Sequence, residues 1–333
     1  MNLAWFWMLA AMLTTFAVLD GYDLGVGALH LRMARGEAQR RTSINAIGPL
    51  WDGNEVWLIA SGGMLVVAFP RLYAAAFSGF YLALMLVLWL LVLRGVAIEF
   101  RGHVRHPLWA SFWDATFSLA SLLLALLLGV ALGNVVRGVP LQPGGYFLGS
   151  FALMLNPYAL LTGLLSVVVL SWHGANFLRT KTESELQQRA RRWSRALGWA
   201  ALALALAATA ATWSLRPDVL ANFGHYPVAL LLPALAALGW FLGRSANDCR
   251  ALLGSVLAIV GLLGAAAATV VPNLLRSTLN PAFSLTVYNA AAGPHGLRVA
   301  FLANALALAA VVTYTFYIHH SFRGPARLDE HSY

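Results

Sequence analysis

The sequence predicts an all-α integral membrane protein of about nine transmembrane helices. Three observations carry this. Sixty per cent of the 333 residues are apolar, only 11% are charged, and the mean hydropathy is +0.70. Soluble domains carry about 25% charged residues, so lipid is the solvent that suits this composition. The apolar residues fall into nine runs, near 4–28, 50–69, 73–98, 112–133, 150–173, 193–213, 226–243, 251–271 and 297–318. Lipid offers backbone polar groups no partner, so each run is expected as a helix. Finally, 17 of the 22 Lys and Arg residues fall on alternate connections and the C-terminal tail, leaving 5 on the other side. This split predicts the N-terminus outside and the C-terminus in the cytoplasm. An odd number of spans agrees with it.

The first run has no basic segment before it and leads into LDGYDLGVG, so it is expected as the first spanning helix and not as a cleaved signal. The second and third runs are separated only by FPRLY, where Pro70 and Arg71 predict a short turn. The loops are short, and residues 1–333 are expected to form a single transmembrane domain. Two four-helix bundles, residues 1–135 and 148–272, with a final helix at 297–318, fit the helix number. Matching residues do not reveal such a repeat.

The net charge of +9 does not point to nucleic acid, because the basic residues lie between the apolar runs and set topology. One cysteine, Cys249, excludes an internal disulfide and any four-cysteine metal site. No metal site and no catalytic residue are expected in this chain. Trp5, Trp7, Trp109, Trp113, Trp193 and Trp213 read as an interfacial aromatic belt, and Trp57 as packing. The glycines of LDGYDLGVG and of residues 61–63 read as places of close helix packing.

The acids are the informative feature. Asp20, Asp23, Asp52, Glu55, Glu99 and Asp114 all lie in or beside the first four runs, whereas Asp218 and Asp248 read as loop residues. Acids at membrane depth need a partner, a water path or a proton. The predicted topology gathers all six at the cytoplasmic half. Helix-start position explains Asp52 and Glu55 through the helix dipole, and Asp20 and Asp114 read as ordinary interfacial charges. Asp23 and Glu99 sit at helix C-terminal ends, where the dipole disfavours acids, so proton storage or conduction is the sharper reading. Nine histidines invite a haem, but none falls in mid-helix on these runs; His173 comes nearest, at the end of the fifth. A purely structural subunit and a proton-coupled transporter remain open on these residues alone. Helices five to eight carry no acidic counterpart, which counts against the transporter.

LDGYDLGVG at 19–27, GPLWDGNEVWLI at 48–59, FPRLYAAAFSGFY at 69–81 and LRGVAIEFR at 93–101 resemble subunit II of the cytochrome bd-type quinol oxidases, including the cyanide-insensitive branch. GNVVRGVP at 133–140 and NPYALLTGL at 156–164 extend the likeness. The resemblance implies a haem-free subunit of a respiratory oxidase of the bacterial inner membrane. Its partner would be a haem-bearing subunit I holding haems b and d, or b only, and oxidising quinol. A small single-helix subunit is a candidate further partner, and this chain is a candidate to hold a quinone. By the same resemblance, Asp23, Asp52 and Glu99 would serve proton delivery. Trp51, Glu55 and Arg94 would support them, Arg94 as counter-ion to Glu99 or Asp52. Some family members carry Asp at the position of Glu99.

Overall fold

The computed structural model describes residues 1–219, 223–224 and 226–326. Almost all of them are helical. Helices α1 (Asn2–Met33), α2 (Glu37–Ile47), α3 (Trp51–Ala68), α4 (Pro70–Gly79), α5 (Tyr81–Phe100) and α6 (Pro107–Arg137) form the first half. Helices α7 (Phe151–Met154), α8 (Pro157–Lys181), α9 (Ser184–Leu215), α10 (Leu231–Gly243), α11 (Asp248–Val270) and α12 (Pro294–Ser321) form the second. Seven of these, α1, α5, α6, α8, α9, α11 and α12, are long and apolar enough to cross a membrane. The runs expected at 50–69 and 226–243 are the shorter α3, with 18 residues, and α10, with 13 residues after a 3-10 turn at Pro227–Leu230.

Several boundaries differ from the hydropathy pattern for physical reasons. The expected helix at 73–98 is two helices meeting at Phe80, whose ψ of 17° leaves the helical region. Gly79 admits the ring of Phe147 there; a Cβ on Gly79 would lie 2.8 Å from its Cγ. Pro70 and Arg71, expected in a short turn, instead open α4, and the break falls on Phe69, pushed out of helical geometry before the proline. The fifth run is also interrupted. Asn156 caps α8 by accepting from Ala159 N at 3.0 Å, and Pro157 takes the first helical position. At its other end α8 continues to Lys181, because Asn176 and Arg179 are buried in hydrogen bonds and are not interfacial. Hydropathy cannot see past such residues. It also misses α2, an amphipathic helix that buries Ile44, Ala46 and Ile47.

Helix α1 is the central post and packs against α3, α6, α8 and α11. Its contact with α8 is backbone on backbone. A Cβ on Gly25 would lie 1.9 Å from Leu170 O, and one on Gly174 would lie 2.4 Å from the carbonyl carbon of Gly25. Only glycine fits at either place. Gly62 and Gly63, by contrast, have nothing within 4 Å, so the second glycine segment does not serve close packing. Trp5 is also not part of an aromatic belt: it is fully buried and donates from Nε1 to Leu297 O at 3.3 Å.

The arginine-poor end is closed by a small hairpin, β1 (Asn273–Leu275) antiparallel to β2 (Leu285–Thr286). The segment after α6 adds Val139, hydrogen-bonded to Arg276 and Thr278. The outer surface is apolar. Helix α12 buries only Leu297 and exposes Leu302, Leu306, Phe316 and Tyr317, while α5 exposes Leu88 and Trp89. Such a surface suits lipid or a partner helix.

Candidate functional site

Two polar clusters lie inside the first half, both built on α1. The first joins α1, α3 and α5. Arg94 donates from Nη1 to Asp20 Oδ2 at 2.9 Å and from Nη2 to Asp20 Oδ1 at 2.6 Å, and neither side chain is exposed. Arg94 Nη2 also donates to Glu55, which is 18% exposed. Trp51 lies beside this cluster. Its ring lies against Gly95, where a Cβ would come within 3.0 Å of it.

Asp23 lies one helical turn beyond Asp20 and is fully buried. Among the described residues no guanidinium hydrogen-bonds it. Its Oδ2 accepts from Asn54 Nδ2 at 2.7 Å, and its Oδ1 has no hydrogen-bond partner. Asn54 also donates to Tyr22 Oη at 2.8 Å, and Tyr22 Oη lies 2.9 Å from His319 Nε2. His319 Nδ1 faces the Thr315 carbonyl oxygen at 2.8 Å. In the neutral ring Nδ1 therefore carries the hydrogen, and Nε2 accepts from the Tyr22 hydroxyl. A continuous line of hydrogen bonds thus runs from Asp23 to the last turn of α12. Tyr22 is held in it by stacking on Phe177, with ring centroids 4.0 Å apart and planes 7° apart.

The second cluster surrounds Asp114 at the arginine-rich end. Its Oδ1 accepts from Arg101 Nε at 2.6 Å and lies 2.8 Å from His30 Nε2. Its Oδ2 accepts from Arg40 Nη1 at 3.1 Å and Arg101 Nη2 at 3.2 Å. A carboxylate only accepts, so His30 Nε2 carries a hydrogen. Arg101 also grips Glu37 through two bonds of 2.9 Å. Helices α1, α2, α5 and α6 are tied at one point.

The structure brings Asp23, Glu55 and Arg94 into one buried region with Trp51 at its edge. It does not bring Asp52 and Glu99 there. Both are exposed on the outer face of the chain, Asp52 at the start of α3 and Glu99 near the end of α5. Arg94 is not their counter-ion; it serves Asp20 and Glu55. Asp20 and Asp114, expected as interfacial charges, are fully buried hubs. Asp248 opens α11 and is not a loop residue; it accepts from Arg179 Nε at 2.8 Å and from Arg191 Nη2 at 2.6 Å. Asn54, Tyr22 and His319 went unseen. Asn54 and Tyr22 sit inside the motifs already quoted, and a polar side chain one turn from an acid was the available signal. Nothing in the sequence joins His319 to them.

Histidines at membrane depth raise the question of a haem. His173 lies well inside α8 and is fully buried, contrary to its expected place at a helix end. Its Nδ1 lies 2.8 Å from Ser255 Oγ and its Nε2 2.9 Å from Val18 O. His30 and His319 likewise have both ring nitrogens engaged. An axial ligand must present a free nitrogen, so these three do not fit a haem. Among the described residues no group of three or more His, Cys, Asp and Glu could hold a metal ion. His225 and His331 lie outside the described residues.

The cytochrome bd terminal oxidase subunit II family model matches residues 1–322. A probable cytochrome oxidase subunit 2 of Haemophilus influenzae is 33% identical over 98% of this chain and 94% of that protein. The cytochrome bd-I ubiquinol oxidase subunit 2 of Escherichia coli is 32% identical, over 96% and 93%. The cytochrome bd ubiquinol oxidase subunit 2 of Bacillus subtilis is also 32% identical, over 96% and 95%. The bd oxidase structure from Geobacillus thermodenitrificans contains a chain of the same fold, with a TM-score of 0.75, 20% identity, and 96% and 98% of the two chains covered. The helix order, the buried polar motifs and these matches lead to one conclusion: the chain belongs to the cytochrome bd terminal oxidase subunit II family, whose members are multi-pass proteins of the bacterial inner membrane.

Proposed function

We propose that this chain is the haem-free subunit II of a respiratory quinol:oxygen oxidoreductase, supporting a haem-bearing subunit I and contributing carboxyls to proton delivery from the cytoplasm. In this reading the haems, b and d or b only, lie in the partner. Quinol is oxidised there, and protons for water enter at the arginine-rich end. The chain spans the membrane nine times, N-terminus outside, as two four-helix bundles and a final helix. A bound quinone in this chain and a small single-helix subunit belong to the same reading.

One observation carries the proton role. Among the described residues Asp23 is buried without an ion-pair partner and with one oxygen free of hydrogen bonds, and it stands at the inner end of the line to His319. A proton can take the place of its missing counter-ion. Asp52 and Glu99 then act on the outer face, at the junction with subunit I. The test is Asp52→Asn and Glu99→Gln in the assembled complex. Slowed proton uptake with normal haem content is expected. Wild-type oxygen consumption and proton uptake in both variants would remove these two residues from the relay.

A purely structural subunit is the second reading, favoured by the enclosed Arg94–Asp20 pair and the four-helix tie at Asp114. It predicts lost haem or failed assembly in the same variants in place of slowed uptake. Family membership favours both readings over transport.

A further inference from the structure

At the arginine-rich end, between the last turn of α1 and the first turns of α9, lies a cavity of about 450 Å³. Its walls carry Arg32, Arg35, Arg189 and Arg192, a single acid, Glu185, and Trp193. We propose that this cavity binds the phosphodiester headgroup of an anionic phospholipid.

Charge is the first argument. The buried arginines elsewhere each hold a carboxylate: Arg94 with Asp20, Arg101 with Asp114, Arg179 with Asp248 and Arg216 with Asp218. Among the described residues the four at this cavity share Glu185 alone, and that acid is 3.9 Å from Arg189 and 82% exposed. Arg32, Arg35 and Arg192 make no ion pair among the described residues. Four guanidinium groups around one concavity repel each other unless an anion joins them. Planar guanidinium forks match phosphate oxygens bidentately.

Construction is the second. Arg189 is only 11% exposed, and its Nε is buried without a hydrogen-bond partner. Its Nη2 donates to Gln39 Oε1, which also accepts from Arg35 N at 2.9 Å. Gln39 therefore fastens the wall from α9 to the wall after α1. Arg189 is positioned, unlike the freely solvated charges that merely set topology.

Depth selects the source of the phosphate. Arg32 follows the apolar stretch of α1, and Arg189 and Arg192 directly precede that of α9, with Trp193 at the junction. The cavity thus sits where hydrocarbon gives way to headgroups, the level at which basic pockets between helices meet anionic lipid. A headgroup is held there by its own acyl chains, whereas free phosphate is not.

The test uses the intact complex in nanodiscs of phosphatidylglycerol and phosphatidylcholine, with retained lipid counted by native mass spectrometry. Phosphatidylglycerol should be retained over phosphatidylcholine. Arg189→Gln with Arg192→Gln should lower its retention by roughly tenfold or more, as expected for lost charge-assisted hydrogen bonds. Arg32→Gln, at an exposed side chain with no ion pair, keeps the test open if the double variant fails to fold, and should lower retention too. Equal retention of the two lipids, or no change in Arg32→Gln and the double variant, overturns the proposal. So does displacement of the lipid by millimolar inorganic phosphate, which would make this a site for soluble phosphate.

Discussion

Arg94 on α5 and Asp20 on α1 meet through two parallel hydrogen bonds, of 2.9 and 2.6 Å, with no exposed surface on either side chain. Removing one member of a buried pair leaves an uncompensated charge and costs about 3–5 kcal/mol, while replacing both by apolar groups is close to neutral. Arg94→Gln should therefore abolish or sharply lower the yield of folded complex, by size-exclusion chromatography and thermal unfolding in detergent. Arg94→Met combined with Asp20→Leu should recover part of that loss. Glu55, which shares Arg94, limits the recovery.

Tyr22→Phe removes one hydroxyl from the line between Asn54 and His319 and keeps the ring on Phe177. The stability cost should be about 1 kcal/mol. If protons travel this line, uptake measured by a pH indicator in the assembled complex should slow several-fold at unchanged haem content. Unchanged uptake would confine Tyr22 to packing.

Gly25→Ala drives a methyl group into the Leu170 carbonyl on α8. Overpacking of this kind costs about 1–3 kcal/mol, and more is expected here because the obstacle is backbone. Gly62→Ala, inside α3 with open space around it, should hold or slightly raise the unfolding temperature, because alanine is the better helix former. Thermal unfolding of the two variants side by side checks the contrast.

Asp218 lies in the turn after α9, outside the spanning segments. Arg216, and then Arg276, hold its carboxyl down at about 2, below its ordinary 3.8. A depressed folded-state value adds stability that is fully present above the unfolded value and is lost as the pH falls through about 2. The side chain is half exposed, so solvent screening holds the gain to about 1 kcal/mol or less. Asp218→Asn should lower the unfolding temperature slightly at pH 7. The difference from the native chain should shrink between pH 4 and pH 2.

Hydropathy made the spanning helices legible, because lipid demands long apolar runs. It failed where tertiary contacts hide polar groups. Helix α8 runs past His173 to Lys181 only because Ser255, Asn176, Ser194 and Asp248 satisfy its polar side chains. For the same reason Asp20 and Asp114 looked like surface charges: Arg94 is 74 residues from Asp20, and Asp114 is enclosed by Arg101 together with the distant Arg40 and His30, 74 and 84 residues away. Asp23 stood out because its place was read as a helix C-terminus, whereas α1 continues ten residues further, to Met33, and holds it inside the helix. The outward placement of Asp52 and Glu99 was not, because a one-residue step around a helix turns a side chain by about 100°, and only the packed bundle fixes which face is inside.

The separation between Asp20 and Arg94 also has a consequence for biosynthesis. At roughly 5–20 residues per second, the 74 residues between them take about 4–15 seconds to translate. Helix α1 therefore reaches the membrane as a nascent segment carrying Asp20, Asp23 and His30 before Arg94 exists. During that interval the acid needs a temporary companion, a proton or a wet surface of the insertion machinery. The first helix of this chain thus becomes a stable lodger in the bilayer only once the fifth has been made.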